Sequence, residues 1–395
     1  MNIYLVGGAV RDKLMGISSK DRDYVVVGST PEEMIKLGFK PIGKDFPVFL
    51  HPKTNEEYAL ARTEKKVGKG YHGFEFFASP AVTLEEDLKR RDITINAIAE
   101  DEDGKIYDPF NGVNDIKNKI IKHVSNAFCE DPLRVFRVAR FYARFKDFEI
   151  HQDTEKLIKK IVSSGEIKSL SVERIYSEIL KGLEEKHSDK MFLSFETSGV
   201  LKEIFPEFNY SSIPFHALLK ALRNTSNSIK AESKFLMILV LPSLLDIEIE
   251  SNNEYYLDFF RLPRNAKNLF KSIKSEAINL ENFLSLSLEN KLDCLYRLDF
   301  FRRPDITMEI LDMLIFLILA RSKPIPSSHS IEREENLAYK KNVIKKIELV
   351  KNLILSFKKE LSLIRSTTDP LKSVEKIKEL IYQERLAILK KLVSN

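Results

Sequence analysis

The chain of 395 residues is 43% hydrophobic and 31% charged, with a formal net charge of +5 at pH 7. This length is sufficient for roughly two to four domains, and the composition is that of a soluble globular protein. The longest apolar runs, 235–241 and 313–320, are far shorter than a membrane span. Two cysteines without paired or metal-like spacing, Cys129 and Cys294, exclude a disulfide framework. Because no signal peptide is visible either, we expect a cytoplasmic protein.

The positive charge is concentrated towards the C-terminus. Residues 331–395 contain 15 Lys and Arg but only nine Asp and Glu. A basic segment of this kind indicates nucleic-acid binding. A solvated helical face would explain the same charges equally well.

The first residues predict a strand, a tight turn and a helix. The strand covers Ile3 to Val6 and breaks at Gly7 and Gly8, and the helix begins near Ala9. Glycines allow the backbone to approach a ligand closely, and a helix N-terminus offers unpaired N–H groups to a phosphate. On its own, however, a Gly-Gly turn after a strand is usually a simple loop.

A second strand is predicted over 22–27, with Asp21 and Asp23 at its start. In an extended chain, residues i and i+2 point to the same face, so the two carboxylates repel each other unless a cation lies between them. Magnesium prefers oxygen ligands and keeps substrate phosphates in its shell. Although such a pair is more often a solvated turn, its position directly after the glycine turn predicts a metal–triphosphate site.

The next elements are a helix and a hairpin. Thr30 followed by Pro31 and Glu33 is typical of a helix start, with Thr30 as the cap. The hairpin is predicted from strands near 46–51 and 56–62 that turn at 52–55.

A long loop is predicted over 62–74, where three glycines alternate with basic residues. We expect this loop to be mobile and functional, because long loops inside compact domains are otherwise disordered. A second pair of extended runs follows, with its turn around 101–104, and it ends in the turn 108–112.

From about residue 126 to the end, the pattern is helical. Apolar residues recur at spacings of three and four, and strand-type alternation disappears. Helix breaks are predicted near Pro206, Pro263, Pro304 and 323–328, and no fixed-period repeat is found. The sequence therefore predicts a small α/β head followed by an all-helical body.

A second group of charged residues begins in the head and continues into the predicted helical part. Arg90, Arg91 and Asp92 are placed at the start of a strand predicted over 90–97. A helix over 130–144 then carries four charged residues at steps of three, while its apolar residues lie on the opposite side. The four are Asp131, Arg134, Arg137 and Arg140. A solvated basic face is the alternative, but arginine suits phosphate and planar base edges.

A paired carboxylate and guanidinium can select bases. Cytosine and adenine both present an amino donor beside a ring-nitrogen acceptor, whereas uracil and guanine present a carbonyl in place of that amino group. A carboxylate that accepts from the amino group and a guanidinium that donates to the ring nitrogen therefore accept C and A and reject U and G.

Seven stretches together resemble the bacterial tRNA CCA-adding enzymes, which are class II tRNA nucleotidyltransferases of the polymerase-β superfamily. The stretches are LVGGAVRD, KDRDYVVVGSTPEEM, DFPVFLHPKTNEEYALARTEKKVGKGYHGF, LEEDLKRRDITINAIA, DPFNG, EDPLRVFRVARF and SVERIYSEI. The resemblance runs nearly continuously from residue 1 to about 206. It implies template-independent addition of C, C and A to the 3′ end of tRNA from CTP and ATP, with release of pyrophosphate.

The resemblance also implies an α+β fold with four parts. A polymerase-β-type nucleotidyltransferase head, a mixed sheet with helices, would cover residues 1–125. A helical neck with the nucleotide-reading helix would cover 126–205, and a helical, tRNA-binding body and tail would cover 206–395.

Residue roles follow from the same resemblance. Asp21 and Asp23 would be catalytic and hold Mg²⁺, and the 62–74 loop would switch the enzyme from C to A. Asp131 and Arg134 would read the base of the incoming nucleotide. The residues that would bind ATP and CTP, mainly through phosphates and sugar, are Gly8, Arg11, Arg91, Arg137 and Arg140. Structural support of the neck helices would come from Ser171, Glu173, Arg174 and Glu178.

One departure from similar enzymes lies in the body. Relatives with a C-terminal HD phosphohydrolase domain need several histidines and an adjacent His-Asp pair, but this chain has no such pair. After residue 200 only His216 and His329 remain, and the expected segment reads FLMILVLPSLL. We therefore expect no phosphodiesterase or phosphatase activity.

Two alternatives stay open. The first is a related enzyme, namely a poly(A) polymerase or a form that adds only A or only CC; the intact loop disfavours the CC form. The KDRDY motif and the lack of a long basic tail mildly disfavour poly(A) synthesis. The second is a non-catalytic RNA-binding protein, which the presence of both carboxylates and every expected nucleotide contact disfavours.

Overall fold

A computed structural model describes residues 1–19, 21–42, 48–66, 74–206, 219, 222–223, 229–244, 254–320, 330–363 and 374–394. The chain forms two compact units, Met1–Pro206 and Glu207–Asn395. The domain bounds expected at 1–125, 126–205 and 206–395 stay predictions.

A seven-stranded mixed sheet forms the centre of the first half of unit 1. Its strands are β1 Asn2–Val6, β2 Asp23–Val27, β3 Lys40–Pro41, β4 Val48–Leu50, β5 Glu57–Leu60, β8 Ala99–Glu100 and β9 Ile106–Tyr107. They lie in the order β3-β4-β5-β2-β1-β8-β9. Only β2 and β5 pair in parallel; the other neighbours are antiparallel. In the β1–β2 register Val6 is opposite Asp23, so β2, which begins with Asp23, starts beside the end of β1.

Four helices accompany this sheet: α1 Gly8–Leu14, α2 Pro31–Lys36, α3 Leu84–Lys89 and α4 Gly112–Asn118. The predicted start of α2 is confirmed, because the Thr30 side chain accepts from the Glu33 N–H and Glu33 accepts from the Thr30 N–H. Two apolar clusters form the core of this half. One surrounds Val6 and Val25, and the other surrounds Val26 and Phe49. Successive residues of β2 therefore contribute to different clusters, as strand geometry requires.

The two predicted hairpins are confirmed. Strands β4 and β5 pair antiparallel, and Asn55 in their turn has a φ of 59°. Strands β8 and β9 pair around a turn closed by a hydrogen bond from the Gly104 N–H to the Asp101 carbonyl, 3.1 Å long. Residues 46 and 47 of the first predicted strand lie outside the described residues.

The loop predicted over 62–74 is wrong at its ends. Residues Arg62–Lys66 and Phe74–Ala78 form strands β6 and β7 of a two-stranded antiparallel sheet, with Lys66 opposite Phe74. The three glycines at 68, 70 and 73 lie in the connection 67–73, outside the described residues. The flanking residues Thr63, Phe74 and Phe76 favour strands.

The strand predicted over 90–97 is also wrong. Residues Thr94–Asn96 form a 3₁₀ turn instead. The carboxylate of Asp92 accepts hydrogen bonds from the Ile93 N–H (2.9 Å) and from Asn96 Nδ2 (3.1 Å). Such local side-chain bonds compete with strand pairing and bend the chain.

The rest of unit 1 is mostly helical, as predicted from residue 126. A 3₁₀ turn at Asn126–Glu130 precedes α5 Leu133–Arg144, and α6 Gln152–Ser163, α7 Val172–Glu184, α8 Ser188–Ser198 and α9 Val200–Ile204 follow. The apolar side of α5 is buried, including Val135, Phe136, Ala139 and Ala143. One exception is a two-residue strand, β11 Glu149–Ile150, which pairs in parallel with β10 Ile120–Ile121. Two residues are too few for a strand pattern in the sequence.

The helices described in unit 2 are α10 Ala231–Leu244, α11 Glu254–Phe259, α12 Arg264–Glu281, α13 Leu288–Arg297, α14 Pro304–Ala320, α15 Ser330–Leu363 and α16 Val374–Ser394. The breaks predicted near Pro206, Pro263 and Pro304 are confirmed, whereas 323–328, His216 and His329 lie outside the described residues. Across the described helices, none combines the length and apolarity that a bilayer crossing requires.

Candidate active site

A cavity of about 530 Å³ lies in unit 1, where the β1–α1 turn, the starts of β2 and β6, the end of α3, and helices α5 and α7 come together. Seven arginines but only three aspartates are found among its lining residues. An excess of guanidinium groups favours a polyanionic ligand such as a triphosphate. The predicted site residues in its lining are Gly8, Arg11, Asp23, Arg91, Asp131, Arg134 and Arg137; Asp21 and Arg140 are outside it.

The two predicted catalytic carboxylates lie at the head of β2. Asp23 is the first residue of the strand, and both side chains keep access to solvent. Desolvation by the surrounding protein, and then the charge of Asp21, raise the pKa of Asp23 above its ordinary value, against the opposing effect of Arg91. A cation beside the pair would relieve this repulsion, and carboxylate oxygens are the donors that hard divalent ions prefer.

The glycine turn brings the backbone close to an arginine of the cavity. Gly7 has a φ of +70°, and a Cβ atom at this position would lie 2.9 Å from Arg91 Nη1. Helix α1 then begins at Gly8, one residue earlier than predicted. The turn therefore requires glycine at position 7 both for its backbone conformation and for the space that Arg91 occupies.

Arg11 lines the cavity but is held by the protein. It is 2% exposed, and its guanidinium donates to Asp12 Oδ1 (2.8 Å) and to Asn96 Oδ1 (2.5 Å). Burial lowers the pKa of Arg11 below its ordinary value, against the opposing charge of Asp12. Its predicted contact with the nucleotide stays a prediction.

Arg137 and Arg140 lie one turn apart on α5 and have different environments. The Nε and Nη2 atoms of Arg137 lie 2.8 and 2.7 Å from Asp92 Oδ2, and its side chain is 37% exposed. Burial would raise the pKa of Asp92, but the charge of Arg137 and hydrogen bonds from Asn96, Arg137 and the Ile93 N–H lower it well below the ordinary range. Arg140 instead donates to Glu178 Oε2 over 2.8 Å, so the structure does not bring it to the cavity wall.

The predicted base-reading pair lies at the start of α5, with Arg134 in its first turn. Asp131 lies two residues before the helix and has an extended backbone, so the helix predicted over 130–144 is wrong at its start. Asp131 Oδ1 accepts from the Leu133 N–H (3.1 Å), and its Oδ2 accepts from Arg174 Nη2 (2.9 Å). Arg134 is 7% exposed and donates to the carbonyl oxygens of Ala127 (2.6 Å) and Arg90 (2.5 Å). The pair is thus held from both sides by the surrounding protein.

The prediction from the sequence missed several cavity residues and gave others a different role. Arg174, expected to support the neck helices, lies in the cavity wall and holds Asp131. The lining residues without a predicted role are Arg90, Asp92, Asn96, Leu133 and Phe141, whereas Gly7 and Arg62 belong to the predicted glycine turn and loop. The spacing of Asp92 and Asn96 by four residues was a usable signal, because in a turn it places the two side chains together.

The sequence is similar to those of known proteins. Residues 3–122 match the family model described as "Poly A polymerase head domain", and residues 147–211 match "Probable RNA and SrmB- binding site of polymerase A". The multifunctional CCA protein of Acinetobacter baumannii (strain SDF) is 44% identical over 333 residues, which are 77% of this chain and 81% of the relative. That of Methylobacillus flagellatus is 58% identical over 209 residues, 53% of this chain and 51% of the relative.

Solved structures agree on the fold. The Thermotoga maritima CCA-adding enzyme complexed with tRNA has a TM-score of 0.65 at 23% identity, covering 100% of this chain and 91% of the other. A tRNA-processing enzyme complex has a TM-score of 0.59 at 27% identity, covering 89% and 96%. The α+β fold expected from the sequence, with a nucleotidyltransferase head followed by helices, is confirmed.

The fold is that of a nucleotidyltransferase. Within that class, the chain belongs to the family of bacterial CCA-adding enzymes, the tRNA nucleotidyltransferases.

Proposed function

We propose that this protein adds C, C and A to the 3′ end of tRNA from CTP and ATP and releases pyrophosphate. The observation that carries the proposal is the single cavity wall of seven arginines that also contains Asp23 and the pair Asp131 and Arg134. The 44% identity of this chain to a multifunctional CCA protein, over 81% of that relative, supports the proposal.

The reaction is an in-line transfer. The 3′-hydroxyl of the tRNA attacks the α-phosphate, the new phosphodiester forms, and the bond between the α-phosphate and the leaving pyrophosphate breaks. Asp21 and Asp23 would hold Mg²⁺, for which their oxygen donors and mutual repulsion are suited. When bound, the metal supplies positive charge to the triphosphate and lowers the pKa of the attacking hydroxyl.

The chain's own residues bind and orient the nucleotide. Arg91 and Arg137 contribute positive charge for the phosphates at the cavity wall, and the tight turn at Gly7 lets the backbone approach. Asp92 fixes the guanidinium of Arg137 through two contacts to one oxygen, so little side-chain entropy is lost on binding.

Base selection falls to Asp131 and Arg134. One oxygen of Asp131 is engaged by Arg174 and the other by the Leu133 N–H, and each carboxylate oxygen has a second lone pair for an amino group. The arrangement suits C and A and disfavours U and G, because a carbonyl facing a carboxylate is repelled.

The partners and the setting belong to the same proposal. The enzyme acts on tRNA, CTP and ATP in the cytoplasm, and unit 2 holds the tRNA. The T. maritima CCA-adding enzyme was solved in complex with tRNA, which supports this assignment.

The test is an incubation of tRNA that lacks its terminal triplet with each nucleotide alone and in pairs, sized on a gel. We expect two additions with CTP alone and a third when ATP is present. Long tails with ATP alone would indicate a poly(A) polymerase, and no extension under any condition would indicate a non-catalytic RNA-binding protein.

A further inference from the structure

A buried carboxylate lies directly behind the cavity wall. Asp87, in the last turn of α3, is 0% exposed and is not itself among the lining residues. An unpaired charge at such a position would be costly, so its hydrogen-bond partners decide what it does.

The partners of Asp87 come from three cavity residues. Its Oδ1 accepts from the backbone N–H of Arg62 (3.3 Å) and from Arg90 Nε and Nη2 (3.2 and 2.9 Å). Its Oδ2 accepts from Arg91 Nη2 over 3.3 Å. Burial would raise the pKa of Asp87, but the charges of Arg90 and Arg91 and hydrogen bonds from Arg90 and Arg62 lower it, so the group is an anion at neutral pH.

Each partner leads to a different part of the site. Arg62 is the first residue of the β6–β7 hairpin. Arg91 lies against the glycine turn at Gly7. The carbonyl of Arg90 accepts the 2.5 Å hydrogen bond from Arg134 Nη2. One carboxylate therefore connects the hairpin, a predicted phosphate-binding arginine and the anchor of the predicted base-reading arginine.

We propose that Asp87 is a positioning residue for base selection, acting through Arg90 on Arg134 and through the Arg62 N–H on the β6–β7 hairpin. The inference rests on the proposed function and deepens it. Asp87 touches neither nucleotide nor tRNA. Its role is to hold the carbonyl of Arg90 where Arg134 can reach it.

An Asp87→Asn variant separates this role from mere packing. The amide has the same shape but only one acceptor oxygen, so its NH₂ group must face either Arg91 or the two donors of Arg90. In either orientation, either Arg90 or Arg91 loses its hydrogen bond to residue 87. The part of the cavity wall that holds Arg134 is then less rigidly positioned.

A matched control exists in the same unit. Asp115, in α4, is 7% exposed, and its Oδ2 accepts from Thr94 Oγ1 over 2.6 Å. It is not among the lining residues of the cavity. Asp115→Asn therefore removes a buried carboxylate of the same unit without changing a hydrogen bond to a cavity arginine.

The experiment measures kcat/KM for CTP and UTP on tRNA lacking its triplet, and for ATP and GTP on tRNA that already ends in CC, below the melting temperature of every variant. We expect Asp87→Asn to reduce the ratio of kcat/KM for CTP to kcat/KM for UTP by about tenfold or more, which is the size of one lost base contact. Asp115→Asn should keep the wild-type ratio even if its melting temperature falls as far as that of Asp87→Asn. Arg90→Lys, which keeps the charge but loses the Nε donor, should reproduce the loss and keeps the test valid if Asp87→Asn fails to fold.

Two results would overturn the inference. One is an unchanged ratio in both Asp87→Asn and Arg90→Lys, and the other is an equal fall in kcat/KM for all four nucleotides. Failure of the proposed function is distinguishable, because the wild-type protein would then show no preference for CTP and ATP over UTP and GTP.

Discussion

Asp21 and Asp23 differ in environment although they are separated by one residue. Only Asp23 lines the cavity, and its pKa is raised by desolvation and by Asp21. We expect Asp21→Ala and Asp23→Ala each to abolish nucleotide addition without loss of stability, since removing either carboxylate lowers their repulsion. Incorporation of labelled CTP and a thermal melt measure both effects.

The control for these variants is Asp147→Ala, which removes a carboxylate whose side chain is 59% exposed and which pairs with Lys119 at 3.3 Å. It should retain wild-type incorporation. Near-wild-type addition by either Asp21→Ala or Asp23→Ala would refute the metal assignment.

Asp131 gives a prediction about selectivity. Asp131→Ala leaves the amino group of C or A unpaired and removes the repulsion of a carbonyl, so correct addition should fall and misincorporation of UTP or GTP should rise. A contact of this kind discriminates by roughly 1–3 kcal/mol. Steady-state competition between nucleotides measures it. Unchanged selectivity would mean that the base is read elsewhere.

Asp92 gives a prediction about pH. Its pKa is lowered in the folded protein, so it stabilises the fold above the pKa of an unfolded aspartate, and this stability is lost as the pH falls through the folded value. Asp92→Asn should lower the free energy of unfolding at pH 7 by roughly 1–3 kcal/mol, because Arg137 loses its charged acceptor. The deficit relative to wild type should shrink on acidification below pH 4. Urea unfolding at several pH values measures this difference in the free energy of unfolding. A difference that stays constant with pH would contradict the lowered pKa of Asp92.

Contacts between residues that are close along the chain could be predicted from the sequence, whereas contacts between residues far apart along the chain could not. The Gly7 turn and the pair Asp21 and Asp23 are visible because their atoms meet within one strand–turn–helix–strand unit. Arg174 lies 43 residues from Asp131 along the chain. Nothing in its own neighbourhood indicates that partner, so its place in the cavity wall could only come from the folded structure.

Among the elements, long periodic segments were predicted well and short ones were not. Helix α5 has twelve residues with apolar and basic sides separated. Its face and its end at Arg144 are as expected, but it starts at Leu133, three residues later than predicted. The strand expected at 90–97 fails because one carboxylate, Asp92, bends the chain by hydrogen bonds to Ile93 and Asn96. β-propensity carries no information about such a bond.

The β6–β7 hairpin carries the prediction about the switch from C to A. The resemblance assigns this role to the segment around 62–74, and the structure pairs its ends as far as Lys66 and Phe74. Shortening the segment within 67–73 should spare both C additions and suppress the A, because one cavity serves both nucleotides and the base-reading pair must be re-aimed between them. Gel sizing would then show a product one nucleotide short. An equal loss of all three additions would mean that the segment only shapes the site.

On the scale of the whole molecule, the two units were not equally predictable. The family matches cover 3–122 and 147–211, almost entirely within unit 1, where the motifs lie. Unit 2 was predicted as helices that bind tRNA, but the residues that make the contact were not, because helical periodicity does not indicate which surface binds a partner. Unit 2 also contains an internal similarity: LDFFRLP at 257–263 ends directly before one helix, and LDFFRRP at 298–304 ends at the first residue of another.

A basic groove of about 350 Å³ lies in unit 2, lined by residues of helix α12 and by residues of the second of these segments, 298–304. Arg302 and Arg303 line it with side chains 82% and 47% exposed, and Lys271 and Arg297 add two further positive charges. Arg302 and Arg303 both contact Asp299, whose single negative charge leaves the groove cationic. Groups of this kind bind RNA through its phosphates and release counterions.

We expect the double variant Arg302→Glu and Arg303→Glu to weaken tRNA binding and to reduce the slope of log Kd against log salt by about two units. The kcat at saturating tRNA should stay unchanged, because the groove lies in unit 2 and the nucleotide cavity in unit 1. Lys345→Glu with Lys346→Glu, two exposed residues of the basic segment 331–395, is the matched charge reversal. Filter binding from low to high salt compares the pairs. If only the lysine variant changes the slope, the basic segment holds the tRNA and the groove does not; if neither does, unit 2 makes no phosphate contact at these residues.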